Sequence, residues 1–196
     1  MLLRNGFVFL LMLFIAGCGE PKLPSPFHAA EVGAKYAGAD FKLTDHTGKL
    51  RTLHDFRGKV VVLFFGYMHC PDVCPTTMAD LSQVMTRLGK DADRVQVLFV
   101  TVDPERDTQA LLAQYVPAFH PSFLGLFGDA GSTAQVAKVF DVMYQKQATA
   151  TGYNVDHSAG SFLIDTDGRV RLLSPFAQRT DWLEQDIRLL LALGKS

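Results

Sequence analysis

The chain has 196 residues, 48% hydrophobic and 20% charged, which suits one globular domain with a short appendage. A formal net charge of -1 offers no basic surface for nucleic acid, and three cysteines do not make a stapling disulfide framework.

Met1 to Ala16 carries one basic residue, Arg4, and then an apolar run from Phe7 to Ala16. That run is shorter than the roughly 20 residues needed to span a bilayer, but it suits the apolar region of a signal peptide. It ends in Ile15-Ala16-Gly17-Cys18, which resembles the bacterial lipoprotein cleavage box, where the cysteine is lipidated and becomes the mature N-terminus. Residues 1–17 are therefore expected to be removed and Cys18 to anchor the chain; the other reading is an uncleaved anchor helix. Residues 18–36, with Pro21, Pro24 and Pro26, read as a tether ahead of a folded domain over residues 37–196. Export places the other two cysteines outside the cytoplasm, where a dithiol oxidises unless a reductase or a metal protects it.

Phe41 to Thr44 and Leu50 to Thr52 flank turn residues Asp45-His46-Thr47-Gly48, which predicts an N-terminal hairpin. Lys59 to Phe65 is a continuous apolar, β-branched run, the pattern of a central strand covered on both faces. The helix beyond it lines up Met78, Leu81, Met85 and Leu88 on one face and stops at Gly89. At that spacing the methionines read as core rather than as metal ligands. Val95 to Val102 is a second buried strand, so the helix between the two strands makes a right-handed parallel crossover. Ligand groups in such sheets sit beyond the carboxyl ends of the strands, so Asp103-Pro104-Glu105-Arg106-Asp107-Thr108 should leave at the same edge as the cysteines.

A helix is expected from Thr108 to Tyr115, broken before Pro117, then a strand over Phe123 to Phe127 and a helix from Ser132 to Phe140. Val142 to Gln147 and Gly152 to Val155 pair around Ala148 to Thr151, and the second arm ends in Asp156-His157-Ser158. Ser161 to Asp165 and Arg169 to Leu173 make a further hairpin around Thr166-Asp167-Gly168. A last helix, Thr180 to Leu193, capped by Thr180, should present Trp182, Leu183, Ile187 and Leu190 to the sheet. This is an α/β order, thioredoxin-like, with an N-terminal hairpin and an inserted strand-helix segment.

The chemistry concentrates in Phe64-Phe65-Gly66-Tyr67-Met68-His69-Cys70-Pro71-Asp72-Val73-Cys74-Pro75. Pro75 fits as the first helical residue, where its missing N–H costs nothing, leaving Cys70 to Cys74 as a turn at a helix N-terminus. The positive end of that helix favours thiolate over thiol. Two adjacent thiolates suit a disulfide or a soft metal; burial as small hydrophobes is the plain alternative, and a structural zinc site lacks a second cysteine pair. Redox enzymes of this fold usually separate their cysteines by two residues, not three. Peroxiredoxins need a proline seven and a serine or threonine three residues before the reactive cysteine; Tyr67 and Pro71, or Leu63 and Tyr67, stand there.

FGYMHCPDVCP, TVDPERDT and YNVDHSAGSFLID, in this order between Phe41 and Leu190, closely resemble the Sco/SenC family of membrane-tethered copper-binding proteins. The resemblance implies a thioredoxin-like fold and a role in assembling the dinuclear copper centre of cytochrome c oxidase, as copper donor, as reductant of that centre's cysteines, or both. It implies one copper, Cu(I) or Cu(II), held by Cys70, Cys74 and His157. The donor set agrees, since thiolates suit Cu(I) and an imidazole extends the site to Cu(II); zinc stays open on spacing alone. Asp103, Asp72 and Asp156 are expected to support the ligands or to contact a partner, or to act only as turn formers. Met68 is either a copper contact or a filler, and His69 is second to the ligands or exposed. His28, His46, His54 and His120 have no argument for a role. Expected partners are the oxidase's copper subunit, a periplasmic copper donor, a thiol reductase, and the membrane through the lipid on Cys18. The alternative function is a general extracytoplasmic thiol-disulfide oxidoreductase.

Overall fold

The computed structural model describes residues 25–194, so the leader, Cys18 and the first prolines of the tether lie outside the described residues. Eight strands form one mixed sheet: β1 (Ala30–Glu31), β2 (Leu43–Asp45), β3 (Leu50–Arg51), β4 (Val60–Gly66), β5 (Val95–Thr101), β6 (Leu124–Phe127), β9 (Ser161–Ile164) and β10 (Val170–Ser174). Their order across the sheet is β1-β10-β9-β4-β5-β6-β2-β3, and a separate hairpin pairs β7 (Tyr144–Thr149) with β8 (Gly152–His157). The helices are α1 (Val73–Leu88), α2 (Gln109–Phe119), α3 (Ala130–Val139) and α4 (Thr180–Leu193).

β4 and β5 are buried at every position and pair in parallel, with β6 parallel beyond β5 and β9 antiparallel on the other side of β4. A strand apolar at every residue needs cover on both faces, and the helices supply it. The α1 stripe of Met78, Leu81, Val84, Met85 and Leu88 is buried, and α1 ends at Gly89, whose φ of 57° suits glycine. This is the thioredoxin-like arrangement, with the expected N-terminal hairpin as β2 and β3. Asp45 at that hairpin is fully buried and accepts hydrogen bonds from Thr47 N–H (2.8 Å), Lys49 N–H (3.0 Å) and Arg51 Nε (2.7 Å).

Four local expectations shift. The α2 helix continues through Pro117 to Phe119, because proline removes one hydrogen bond while Val116 is fully buried against Gly125. The α3 helix starts at Ala130 rather than Ser132, since Asp129 accepts the Ser132 N–H at 2.6 Å as its cap. In α4 the cap position is Arg179, not Thr180, and Trp182 faces away from the sheet, 41% exposed and stacked on His28 at 4.8 Å. The inward face carries Leu183, Asp186, Ile187, Leu190 and Leu191. A buried carboxylate there is paired: Asp186 accepts the N–H groups of His28 (2.8 Å) and Ala29 (2.9 Å). Residues 28–36, expected within the tether, thereby belong to the domain, with Ala29 and Tyr36 buried and β1 added to β10.

Candidate metal centre

β4 and β5 run in register, Gly66 opposite Thr101, so both carboxyl ends open at one edge of the sheet. Tyr67 to Asp72 turns at that edge and α1 starts at Val73, which puts Cys74 in the first helical turn and Pro75 third, not first. The first four N–H groups of a helix have no intrahelical acceptor, so proline loses nothing at the third position either. Asp72 occupies the cap position without capping through its side chain; Cys70 Sγ instead accepts the Cys74 N–H at 3.4 Å.

Cys74 is fully buried, pressed against Gly66, where an added Cβ would lie 2.9 Å from the sulfur. Burial pushes the Cys74 thiol far up, and the neighbouring Cys70 and Asp107 push it the same way. The expectation that the helix terminus favours the thiolate is thus overturned for this sulfur. A helix terminus contributes about 0.3–1 kcal/mol near the surface, whereas full burial shifts a titrating group by up to about 3–5 pKa units. A bound cation reverses the balance by supplying the opposite charge.

His157 ends β8 and reaches the same point from the far side. Its Nδ1 lies 2.9 Å from the Ser158 carbonyl, which only accepts, so Nδ1 carries the proton and Nε2 presents its lone pair. Nε2 stands 3.3 Å from Cys74 Sγ. Burial lowers the His157 pKa, keeping the ring neutral as a ligand requires, against smaller opposing effects of the Ser158 carbonyl and Asp156. The rings of Tyr67 (5.9 Å) and Phe64 (6.2 Å) wall it edge-on. The ligand atoms of Cys70, Cys74 and His157 all lie within 4.8 Å of one another. Metal bonds of about 2.0–2.3 Å place neighbouring ligands roughly 3.5–4 Å apart, so two sulfurs and one nitrogen fit a single soft or borderline ion after small side-chain adjustment. A cleft of about 430 Å³, lined by Tyr67, Cys70, Pro71, Asp156 and His157 among others, opens onto the group.

A family model described as SCO1/SenC matches residues 29–192. The chain belongs to the SCO1/SenC family. It is 41% identical over 161 residues to the mitochondrial protein SCO2 homolog of Bos taurus, covering 80% of this chain and 60% of that protein, so it spans about three fifths of that relative's length. Among solved structures it is similar to Bradyrhizobium japonicum ScoI with copper bound (TM-score 0.70, 40% identity, 78% of this chain and 96% of that one). It is likewise similar to apo Sco1 from Thermus thermophilus (TM-score 0.73, 39% identity, 86% and 99%).

Around the centre of this SCO1/SenC chain, Asp103 is buried and touches none of the three ligand atoms; it accepts Arg106 Nε and the Tyr153 hydroxyl (2.8 Å). Asp156 faces solvent on β8, and Asp72 is exposed, accepting the Thr76 hydroxyl at 3.4 Å. Met68 is half-buried against the core, and the His69 side chain is exposed, 3.7 Å from Asp107. Sequence reasoning singled out Asp103 and passed over Asp107, four residues on, which is buried and accepts Thr101 Oγ1 (2.6 Å) and the Met68 N–H (3.1 Å). It ties the cysteine loop to the end of β5. Both aspartates lie in TVDPERDT, so the motif was the available signal, but nothing local distinguishes the residue that holds the loop from a turn former.

Proposed function

We propose that this protein binds one copper ion per chain, as Cu(I) or Cu(II), through Cys70, Cys74 and His157, and works in assembling the dinuclear copper centre of cytochrome c oxidase. The observation that carries the reading is the convergence of two thiol sulfurs and the unprotonated face of a neutral imidazole within 4.8 Å, beside an open cleft. Thiolates suit Cu(I), and the imidazole lets the same site hold Cu(II). The copper-bound ScoI relative supports the choice of metal over zinc. On loading, the thiols lose their protons to solvent and become ligands. Cys74 is the deep ligand, while half-exposed Cys70 and His157 are the two an acceptor can displace from the cleft side.

Transfer of copper to the oxidase's copper subunit is the main reading, with a periplasmic protein as the supplier. The second reading is reduction of that subunit's cysteines. There the Cys70 thiolate attacks the partner's disulfide, Cys74 resolves the mixed disulfide, the partner leaves with two thiols, and a thiol reductase restores the Cys70–Cys74 pair. Cys70 is partly exposed, within reach of a partner's disulfide, which favours this second use. A purely redox pair has no use for His157, which favours the first.

Either role is extracytoplasmic, on the periplasmic face, with the lipid on Cys18 as the anchor; among the described residues no helix is long and apolar enough to cross a membrane. Anchoring raises the local concentration of donor at a membrane-embedded acceptor without any new contact. The test is the metal content of the reduced protein beside that of His157→Ala. One copper per chain, with Cu(II) weakened and Cu(I) retained in the variant, supports the site; equal Cu(II) affinity in the two proteins removes His157 from it.

A further inference from the structure

The β7–β8 hairpin, which carries His157, shares no backbone ladder with the main sheet. Its base is pinned where the Ser158 N–H donates to the Met143 carbonyl (2.9 Å) and the Met143 N–H donates to Ser158 Oγ (3.1 Å). Successive residues of a strand point to opposite faces, so Tyr153, Val155 and His157 share one face of β8 and Asn154 and Asp156 the other. The burial agrees, with Val155 buried, Tyr153 and His157 half-buried, and Asn154 and Asp156 exposed. His157 stands at the base end of that inward row and Tyr153 at the tip end.

At the tip end, Tyr153 meets the turn that follows β5. Its hydroxyl donates to Asp103 Oδ1 at 2.8 Å, and Arg106 holds it in two further ways while pairing with the same carboxylate. The Arg106 guanidinium lies 3.7 Å from the Tyr153 ring centre, Nη1 donates to the Tyr153 carbonyl at 2.9 Å, and Nε is ion-paired with Asp103. A planar guanidinium can stack and donate at once, which an ammonium cannot. The Lys146–Glu105 pair beside it is exposed on both partners and holds the hairpin weakly, so the buried Asp103 carboxylate dominates. The cysteines are placed chiefly by β4, α1 and the Asp107 contact to the loop, and the clamp reaches that loop only where the Arg106 guanidinium lies 5.8 Å from the Tyr67 ring centre.

We propose that Asp103, Arg106 and Tyr153 form a clamp that positions His157: closed, it lays β8 on the body and holds the imidazole at the thiols; open, it frees the imidazole and leaves a two-sulfur site. The inference rests on the proposed copper site for its consequence, but not for its geometry. The residues are positioning residues, and through them the affinity for Cu(II) is set at a turn away from the metal while the affinity for Cu(I) stays with the sulfurs.

Tyr153→Phe removes one hydroxyl and keeps the ring under Arg106, and Arg106→Lys keeps the charge beside Asp103 but loses the stack and the fork. In the metal-free reduced protein, hydrogen exchange followed by NMR should show the amides of β7 and β8 exchanging about tenfold faster in either variant, the scale of one hydrogen bond to a charged acceptor, with β4 and β5 unchanged. With copper, Cu(II) should dissociate about tenfold faster and its thiolate charge-transfer spectrum should shift toward that of His157→Ala, while Cu(I) retention stays within twofold. Unchanged exchange in both variants overturns the clamp whatever copper does. Faster exchange with wild-type Cu(II) spectrum and release overturns its control of His157. If the wild-type protein takes up no copper, the proposed function fails, and the clamp is then decided by exchange and by the ¹⁵N shifts of the His157 ring, which should move in the variants if it positions that ring.

Discussion

Gly66→Ala tests how the deep sulfur is seated. The new methyl carbon would sit 2.9 Å from Cys74 Sγ, 2.9 Å from Phe99 Cε2 and 3.0 Å from Phe64 Cε1. Both rings are fully buried and the sulfur is fixed in the first turn of α1, so no flexible chain end can yield. Overpacking of this kind costs about 1–3 kcal/mol, and contact on three sides puts the expected loss near the top, at about 2–3 kcal/mol. For a domain of this size that lowers Tm by roughly 5–10 °C. Because one of the three contacts is the sulfur of a proposed copper ligand, the strain should also move it and change the thiolate-to-Cu(II) charge-transfer bands. Gly125→Ala is the control: its added carbon would meet Val116 at 3.0 Å and Leu112 at 3.3 Å, away from the thiols. It should destabilise comparably and leave the copper spectrum alone. Denaturant unfolding of the reduced metal-free proteins, followed by Cu(II) titration, separates the two effects. Wild-type stability in Gly66→Ala, or an equal spectral change in both variants, would refute the seating of Cys74 against Gly66.

Burial by itself would raise the Asp45 carboxyl, but hydrogen bonds from Thr47, Arg51 and Lys49 outweigh it and hold the pKa at about 2. A depressed carboxylate contributes stability above its unfolded pKa of about 3.9 that is lost as pH falls through the folded value. Asp45→Asn should therefore lose about 2 kcal/mol at pH 7 and show a shallower acid limb between about pH 4 and pH 2, read from denaturant midpoints. Cys18→Ser should leave copper binding by the folded domain unchanged while releasing the protein from membranes and lowering oxidase copper when the metal is scarce. Membrane fractionation with oxidase copper analysis checks this, and a variant that stays membrane-bound and matures the oxidase normally would refute the lipid anchor.

Local pattern was enough for much of the scaffold. The apolar runs of β4 and β5, the α1 stripe ending at Gly89 and the turn at Asp45 to Gly48 each state their own conformation, because strand and helix periodicity and turn chemistry act over a few residues. The thiol pair was legible for the same reason. His157 became legible only through the family resemblance, since 83 residues separate it from the cysteine it faces.

Other features depended on what packs against what. Trp182 has the spacing of a core residue, yet the inward face of α4 went to Asp186, whose burial is tolerable only because the backbone of His28 and Ala29 arrives to bond it. Residues 28–36 look like tether by composition and became domain through that carboxylate and the open edge of β10. The Cys74 thiol was the sharpest reversal. A helix N-terminus is visible in sequence and favours the thiolate, but the loss of water around a sulfur wedged at Gly66 is a property of the assembled core, and it is the larger effect. Sequence thus determined which groups this protein brings to its chemistry, and tertiary packing decided their protonation, their depth and which aspartates hold them, because desolvation and long-range hydrogen bonds exist only once distant segments meet.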